Sequence, residues 1–211
     1  MAYYPIFIDL ADRACLIVGG GVVAERKVEG LIAAGARVTV VSPIVTDRLA
    51  AWAAAGALVH VARAYRSGDL SSHDVVFVAT DDAQVTSDVV GEARERRVWV
   101  NAADDAAHSD FILPSVLRRG ALTVAVGTGG ASPAIARVIR EELERYFTDD
   151  YAALVDVAAD ARRELRRRGH SASPAAWQRA IDIELRQLVA EGRRDDARAR
   201  LLARLGVPTW A

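Results

Sequence analysis

Apolar residues in the first hundred positions fall alternately into short unbroken runs and into spaced stripes. Ala14-Cys15-Leu16-Ile17-Val18 is an unbroken run that stops at Gly19-Gly20-Gly21, the signature of a strand buried on both faces. Ala24, Val28, Leu31 and Ile32 then recur at i, i+4, i+7 and i+8, one face of an amphipathic helix. Gly35 stands where a left-handed residue would close that helix. Arg37–Val41 reads as the next strand, stopped by Ser42-Pro43. A helix near 45–55, strands at Leu58–Val61 and Val75–Thr80, a helix at 84–96 and a strand at Val98–Asn101 are expected to follow. Strands separated by helices need right-handed crossovers, which build a parallel sheet covered on both faces. The expected fold of residues 1–113 is therefore α/β, a Rossmann-like doubly wound sheet.

Beyond that point the period changes. Leu113–Leu117 and Leu122–Val126 are apolar runs joined by Arg118-Arg119-Gly120-Ala121, which predicts a β-hairpin. Gly127-Thr128-Gly129-Gly130-Ala131-Ser132-Pro133 leads into a helix bearing Ile135, Val138, Ile139 and Leu143, with Ser132 as N-cap and Pro133 in the first turn. From Asp149 onward strand signals cease. Helices are expected near 150–168, 174–191 and 195–205, punctuated by Gly169, Ser171–Pro174 and Gly192. Three parts result: 1–113, a middle segment 114–147, and an all-helical region 148–211.

Composition narrows the class. The 211 residues are 52% hydrophobic and 26% charged, which suits a globular protein with a real core. A single cysteine, Cys15, excludes an internal disulfide framework. None of His60, His73, His108 and His170 has metal-ligand spacing with another or with Cys15, so no protein-held metal is expected. With no apolar run near the ~20 residues of a membrane span and no signal-peptide pattern at the start, a soluble, cytoplasmic protein is expected. Bulk charge argues against nucleic acid, since 27 basic residues face 28 acidic ones. The balance is uneven along the chain: residues 1–160 carry a net −7 and residues 161–211 a net +6, all of the latter's cations being arginine. Arginine forks suit carboxylates and phosphates, although five arginines between 162 and 168 cannot all face one ligand.

Candidate chemistry gathers at the strand ends. Gly19, Gly21 and Ala24 fit G-x-G-x-x-A between a strand and a helix. That spacing gives a tight turn, close backbone approach to a pyrophosphate, and a small residue where helix meets strand. The N–H groups near Val22 and Val23 would face the phosphates. No acidic residue closes the second strand, so the ribose would fall to Ser42 or to backbone near Pro43 and Ile44, and NADP is not excluded. In such sheets ligands lie beyond the carboxyl ends of the strands, which collects Thr80-Asp81-Asp82 and Asn101–Asp105 at the same edge. Thr80 is expected either to cap the next helix or to line the nicotinamide side; Asn101 and Asp104 follow the fifth strand, where an acid/base residue could reach a substrate, although Asp104 taken alone reads better as a loop or capping aspartate.

These segments occur in a known order. Pro5-Ile6-Phe7-Ile8-Asp9-Leu10 precedes Val18–Lys27, then come Ala79-Thr80-Asp81-Asp82, Val100-Asn101-Ala102-Ala103-Asp104, Asp110–Ser115 and Gly127–Arg137. Together they resemble the precorrin-2 dehydrogenase family, including the N-terminal module of siroheme synthase, over residues 3–147. The resemblance implies oxidation of precorrin-2 to sirohydrochlorin with NAD in siroheme or cobalamin synthesis, with iron insertion in some members. By position, it implies that Gly19, Gly21, Val22, Val23, Pro43 and Ile44 contact the dinucleotide and that Asp104 is the catalytic carboxylate. It also implies a homodimer built from 114–147 and a helical tail that helps close the substrate cleft. His108, Thr128 and Ser132 are candidate substrate contacts, Thr128 standing where several relatives carry serine. A tetrapyrrole with eight carboxylates would give the arginine-rich tail a purpose. The contrasting expectation, a regulatory module that senses NAD(H) without turnover, has no use for the hairpin and the Gly127–Arg137 segment.

Overall fold

The computed structural model describes residues 3–103 and 105–207. They divide into two compact units, up to Leu113 and from Pro114 onward.

In the first unit five strands form one parallel sheet in the order β3-β2-β1-β4-β5. These are β1 (Ala14–Val18), β2 (Arg37–Val41), β3 (Val59–Val61), β4 (Val75–Val78) and β5 (Trp99–Ala102). Helices α1 (Val22–Ala33), α2 (Asp47–Ala54) and α3 (Ala83–Arg96) connect them. All five residues of β1 are buried, and successive side chains point to opposite faces. Leu16 and Val18 join Val76, Val78, Val89, Val90 and Val100 in a core on the α3 side. Cys15 and Ile17 join Ala24, Val28, Leu31, Val40 and Leu49 on the α1–α2 side. An unbroken apolar run was required because both faces are covered. Burial pushes the Cys15 thiol up to about 11, leaving it a packing group.

The expected caps form. Gly35 follows α1 at φ +74, and Asp82 caps α3 by accepting from the Gln84 and Val85 N–H groups. The strand expected to run to Thr80 ends at Val78, because Thr80 and Asp82 already turn the chain into α3.

The second unit opens with an antiparallel hairpin, β6 (Ser115–Arg119) and β7 (Leu122–Val126). The first strand begins two residues later than the apolar pattern predicts. Pro114 has no N–H to give a ladder, and Arg118 pairs with Thr123 and Arg119 with Leu122 across a two-residue turn in which Gly120 takes φ +54. Helix α4 (Pro133–Tyr146) packs on the hairpin. Ser132 caps it, accepting from the Ile135 N–H at 3.2 Å. Four helices follow where three were expected: α5 (Asp150–Arg167), α6 (Pro174–Ala180), α7 (Ile183–Ala190) and α8 (Arg194–Arg204). The single helix expected over 174–191 breaks at Ile181, whose ψ of 68° leaves the helical region. Asp182 then caps α7 through the Leu185 N–H. Val157, Ala161, Leu165, Leu185, Val189, Leu201 and Leu202 form this unit's core.

Not all of the tail's arginines are left to solvent. Arg167 and Arg168 both bond to Glu164, and Arg200 and Arg204 to Asp182. No described helix is long and apolar enough to cross a membrane.

Candidate active site

The order β3-β2-β1-β4-β5 reverses direction between β1 and β4. The crevice beyond their carboxyl ends is where an open parallel sheet admits a ligand. The turn from β1 to α1 forms its floor, and its three glycines serve different ends. Gly19 adopts φ +114, and a Cβ there would lie 2.0 Å from the Ala79 carbonyl oxygen, so the backbone leaving β4 runs directly against it. At Gly20 a Cβ would stand 2.2 Å from the Ile44 carbonyl oxygen and 2.8 Å from the Ser42 hydroxyl. At Gly21 it would meet nothing within 4 Å. The last glycine alone opens on free space, and it is also the N-cap of α1 with no side chain satisfying the first-turn N–H groups. Amides at Val22 and Val23 therefore face outward at the positive end of the helix. Ala24 is fully buried where α1 meets the sheet. The G-x-G-x-x-A reading treats position 20 as free, whereas the fold demands glycine there. That requirement comes from the 42–46 turn and cannot be read from the glycines alone.

Residues expected at the ribose form that turn. The Ser42 hydroxyl donates to the Ile44 carbonyl at 2.6 Å, and its own carbonyl takes a hydrogen bond from His60 Nε2 at 2.9 Å. The hydroxyl proton is thus committed to shaping the turn. Pro43 and Ile44 stay exposed beside it. Arg48 and Arg63, on the segments that follow β2 and β3, have carboxylate partners. Arg48 bonds Glu25 and Glu29 and stacks on Trp52 with 4.6 Å to the ring centroid. Arg63 grips Asp69 through two bonds of 2.7 Å.

On the other flank, Ala79 N–H donates to the Val18 carbonyl and Ala103 N–H to the Val78 carbonyl, stitching together the exits of β1, β4 and β5. Thr80 accepts from the Asp82 N–H at 3.3 Å. Asn101 is buried with both polar atoms engaged: Oδ1 accepts from Lys27 Nζ at 2.8 Å and Nδ2 donates to the Phe111 carbonyl at 2.9 Å. Lys27 also lies over the Phe77 ring, which meets Phe111 edge to face. The pattern of the sequence gives no sign of this lysine's contact, because its partner stands 74 positions away. Asp104, the expected catalytic carboxylate, lies outside the described residues. Just past it, Asp105 and His108 form a pair, with Nδ1 2.6 Å from Oδ2.

Thr128 and Ser132 belong to the second unit. The Thr128 hydroxyl donates to the Ser132 carbonyl and accepts from the Ser132 N–H, both at 3.0 Å. It closes a loop in which Gly129 and Gly130 take φ 64 and 86. His60, on β3, is a structural group that holds the Ser42 carbonyl. His73 is partly buried with Nδ1 on the Asp69 carbonyl, and burial depresses its pKa.

Comparison with known proteins bears on this geometry. A family model described as NAD(P)-binding matches residues 6–115, and one described as the central part of sirohaem biosynthesis proteins matches 119–146. The siroheme synthase of Thioalkalivibrio sulfidiphilus is 40% identical over 210 residues, 95% of this chain and 42% of that protein. That of Nitrosococcus oceani is 36% identical over 207 residues, 97% of this chain and 44% of that protein. The chain thus spans less than half the length of these relatives. A solved structure named SirC, precorrin-2 dehydrogenase, has a TM-score of 0.79 at 26% identity, with 94% of this chain and 98% of that chain covered. With its glycine turn at a parallel-sheet switch point, and with a hairpin–helix segment later in the sequence that matches the sirohaem central model, the chain belongs to this NAD(P)-binding family.

Proposed function

We propose that the protein oxidises precorrin-2 to sirohydrochlorin with NAD. The observation that carries this reading is the glycine turn, open to a ligand only at Gly21, in a chain that matches a solved precorrin-2 dehydrogenase nearly end to end. The residues fit the dinucleotide. Free amides at Val22 and Val23 would hold the pyrophosphate, and Gly19 and Gly20 let β4 and the 42–46 turn close around it. Pro43 and Ile44 would flank the adenosine, with Ser42 setting the turn. Thr80, at the exit of β4, would face the nicotinamide side. The pairing of Arg48 and Arg63 with carboxylates leaves neither as a ready partner for a 2′-phosphate, which supports NAD over NADP.

The bound nicotinamide would supply the hydride acceptor. The oxidation also releases a proton, and Asp104 is the carboxylate proposed to act on it. Asn101 and Thr128, with their polar atoms engaged, would hold the walls of their own units, while His108 and Ser132 remain substrate-side candidates. Helix α4 presents Ile135, Val138, Ile139 and Tyr146 to the outside, an apolar stripe at helical spacing that supports a homodimer through 114–147.

An anaerobic absorbance assay with enzymatically made precorrin-2 tests the reading. The sirohydrochlorin spectrum should appear with NAD and be far slower with NADP, and Asp104→Asn should abolish it while leaving NAD binding intact. Adding Fe²⁺, as substrate, to the same cuvette tests ferrochelation. No spectral change with NAD bound would overturn the dehydrogenase in favour of an NAD-sensing module.

A further inference from the structure

We infer that the Asp105–His108 pair is the exit for the proton released by the oxidation: it ends on Nε2 of His108 and passes from there to water. This deepens the proposed dehydrogenase function and rests on it.

The pair is built into the edge of the crevice. From β5 the chain turns over the exit of β4, where Ala103 N–H bonds the Val78 carbonyl at 2.9 Å. In a sheet with this switch point one half of a dinucleotide runs toward β2 and the other toward β4 and β5, so the turn after β5 borders the reacting end. That turn is fastened from several sides. Ser109 Oγ accepts from the Ala102 N–H at 2.9 Å and donates to the Asp105 carbonyl at 2.7 Å. Asp110 takes the Val100 N–H on its carboxylate and gives its own N–H to the Val100 carbonyl.

On this support the Asp105 carboxylate holds His108 twice. Oδ1 accepts from the backbone N–H at 3.2 Å, which caps the short 3-10 turn Ala106–His108, and Oδ2 holds ring Nδ1 at 2.6 Å. Capping needs only the first bond. The second orients the ring, and with Nδ1 donating, the neutral imidazole carries its lone pair on Nε2. Among the described residues no hydrogen bond reaches Nε2. The ring is half exposed, at 54% of its side-chain surface, so it can meet both the cleft edge and water. The bond from His108 holds the Asp105 carboxyl below the usual carboxylate range, which keeps it charged beside an imidazolium.

The chemistry asks for such a group. When the substrate C–H bond breaks, its electron pair leaves as hydride and reduces NAD to NADH; a second bond to hydrogen on the macrocycle then breaks, its electron pair staying in the ring system and its proton going to Asp104 and on to His108. Imidazole is the side-chain type suited to taking up a proton and handing it to solvent, since one ring nitrogen can accept while the other stays bonded. Asp105 is the charged partner of the ring among the described residues, and Asp110 lies on the same turn with its carboxylate on the Val100 N–H. β5, against which the turn packs, carries no ionisable side chain.

The test compares full-length wild type, His108→Ala and Asp105→Asn in weakly buffered solution with precorrin-2 and NAD. His108→Ala should keep its NAD affinity in calorimetric titration. Its steady-state kcat should fall about tenfold or more, a modest share of what acid–base catalysis can supply, and added imidazole should restore it. Asp105→Asn should lower kcat in the same direction, because the carboxylate that orients the ring through Nδ1 is gone. Unchanged kcat in His108→Ala, or a loss that imidazole does not restore, would overturn the inference while leaving the dehydrogenase standing. Wild-type protein that binds NAD without converting precorrin-2 would overturn both.

Discussion

At the scale of single residues, the three glycines of the first turn make separable contributions. Gly20 faces protein backbone, 2.2 Å from where a Cβ would meet the Ile44 carbonyl oxygen, and Gly21 faces open space. Gly20→Ala should therefore destabilise the first unit by about 1–3 kcal/mol or more, as overpacking does, lowering its midpoint in a thermal melt. Gly21→Ala should leave that midpoint close to wild type, its φ of −83° being ordinary for alanine, yet weaken NAD about tenfold or more in calorimetric titration. Equal effects of the two changes on stability would contradict this division. The sequence shows that glycine is needed in the turn; which glycine serves the protein and which the ligand depends on residues 42–46 arriving from another strand.

At the scale of elements, α5 and α8 show how local charge serves packing. Glu164, almost buried on α5, bonds to Arg167 and Arg168, and these hydrogen bonds hold its carboxyl down at about 2. A carboxylate with a depressed folded pKa contributes fully above its unfolded value near ~4.3 and loses that contribution as pH falls through the folded value. The helical signal of the second unit should therefore melt at progressively lower temperature between about pH 5 and pH 2. Glu164→Gln should melt lower at neutral pH and show a flatter dependence over that window. Elements of this kind were legible as periodic stripes, and β1, α1, β2 and α4 formed where their patterns placed them. The break between α6 and α7 was not legible, because neither glycine nor proline marks it and the signal is one aspartate, Asp182, that could equally sit on a helix surface. β6 starts two residues after its apolar run does, because Pro114 has no N–H to give the ladder.

At the scale of the whole molecule, the apolar stripe of α4 sets the expected assembly. Val138 is 54% exposed, so Val138→Asp costs the folded chain little by itself. If α4 faces a second copy, that change should convert a dimer into a monomer by light scattering while NAD binding persists; a wild-type monomer would contradict the proposal. Contacts across long stretches of chain were the least legible feature, and the Lys27–Asn101 bond is the plainest case. It also lends itself to use. This lysine is the only one in the sequence, and its amine is drawn inward to β5, so acylating reagents should modify it chiefly when α1 lifts from the sheet. The rate at which one side-chain amine is labelled then becomes a clock for local opening of the nucleotide fold, read by mass without an introduced probe.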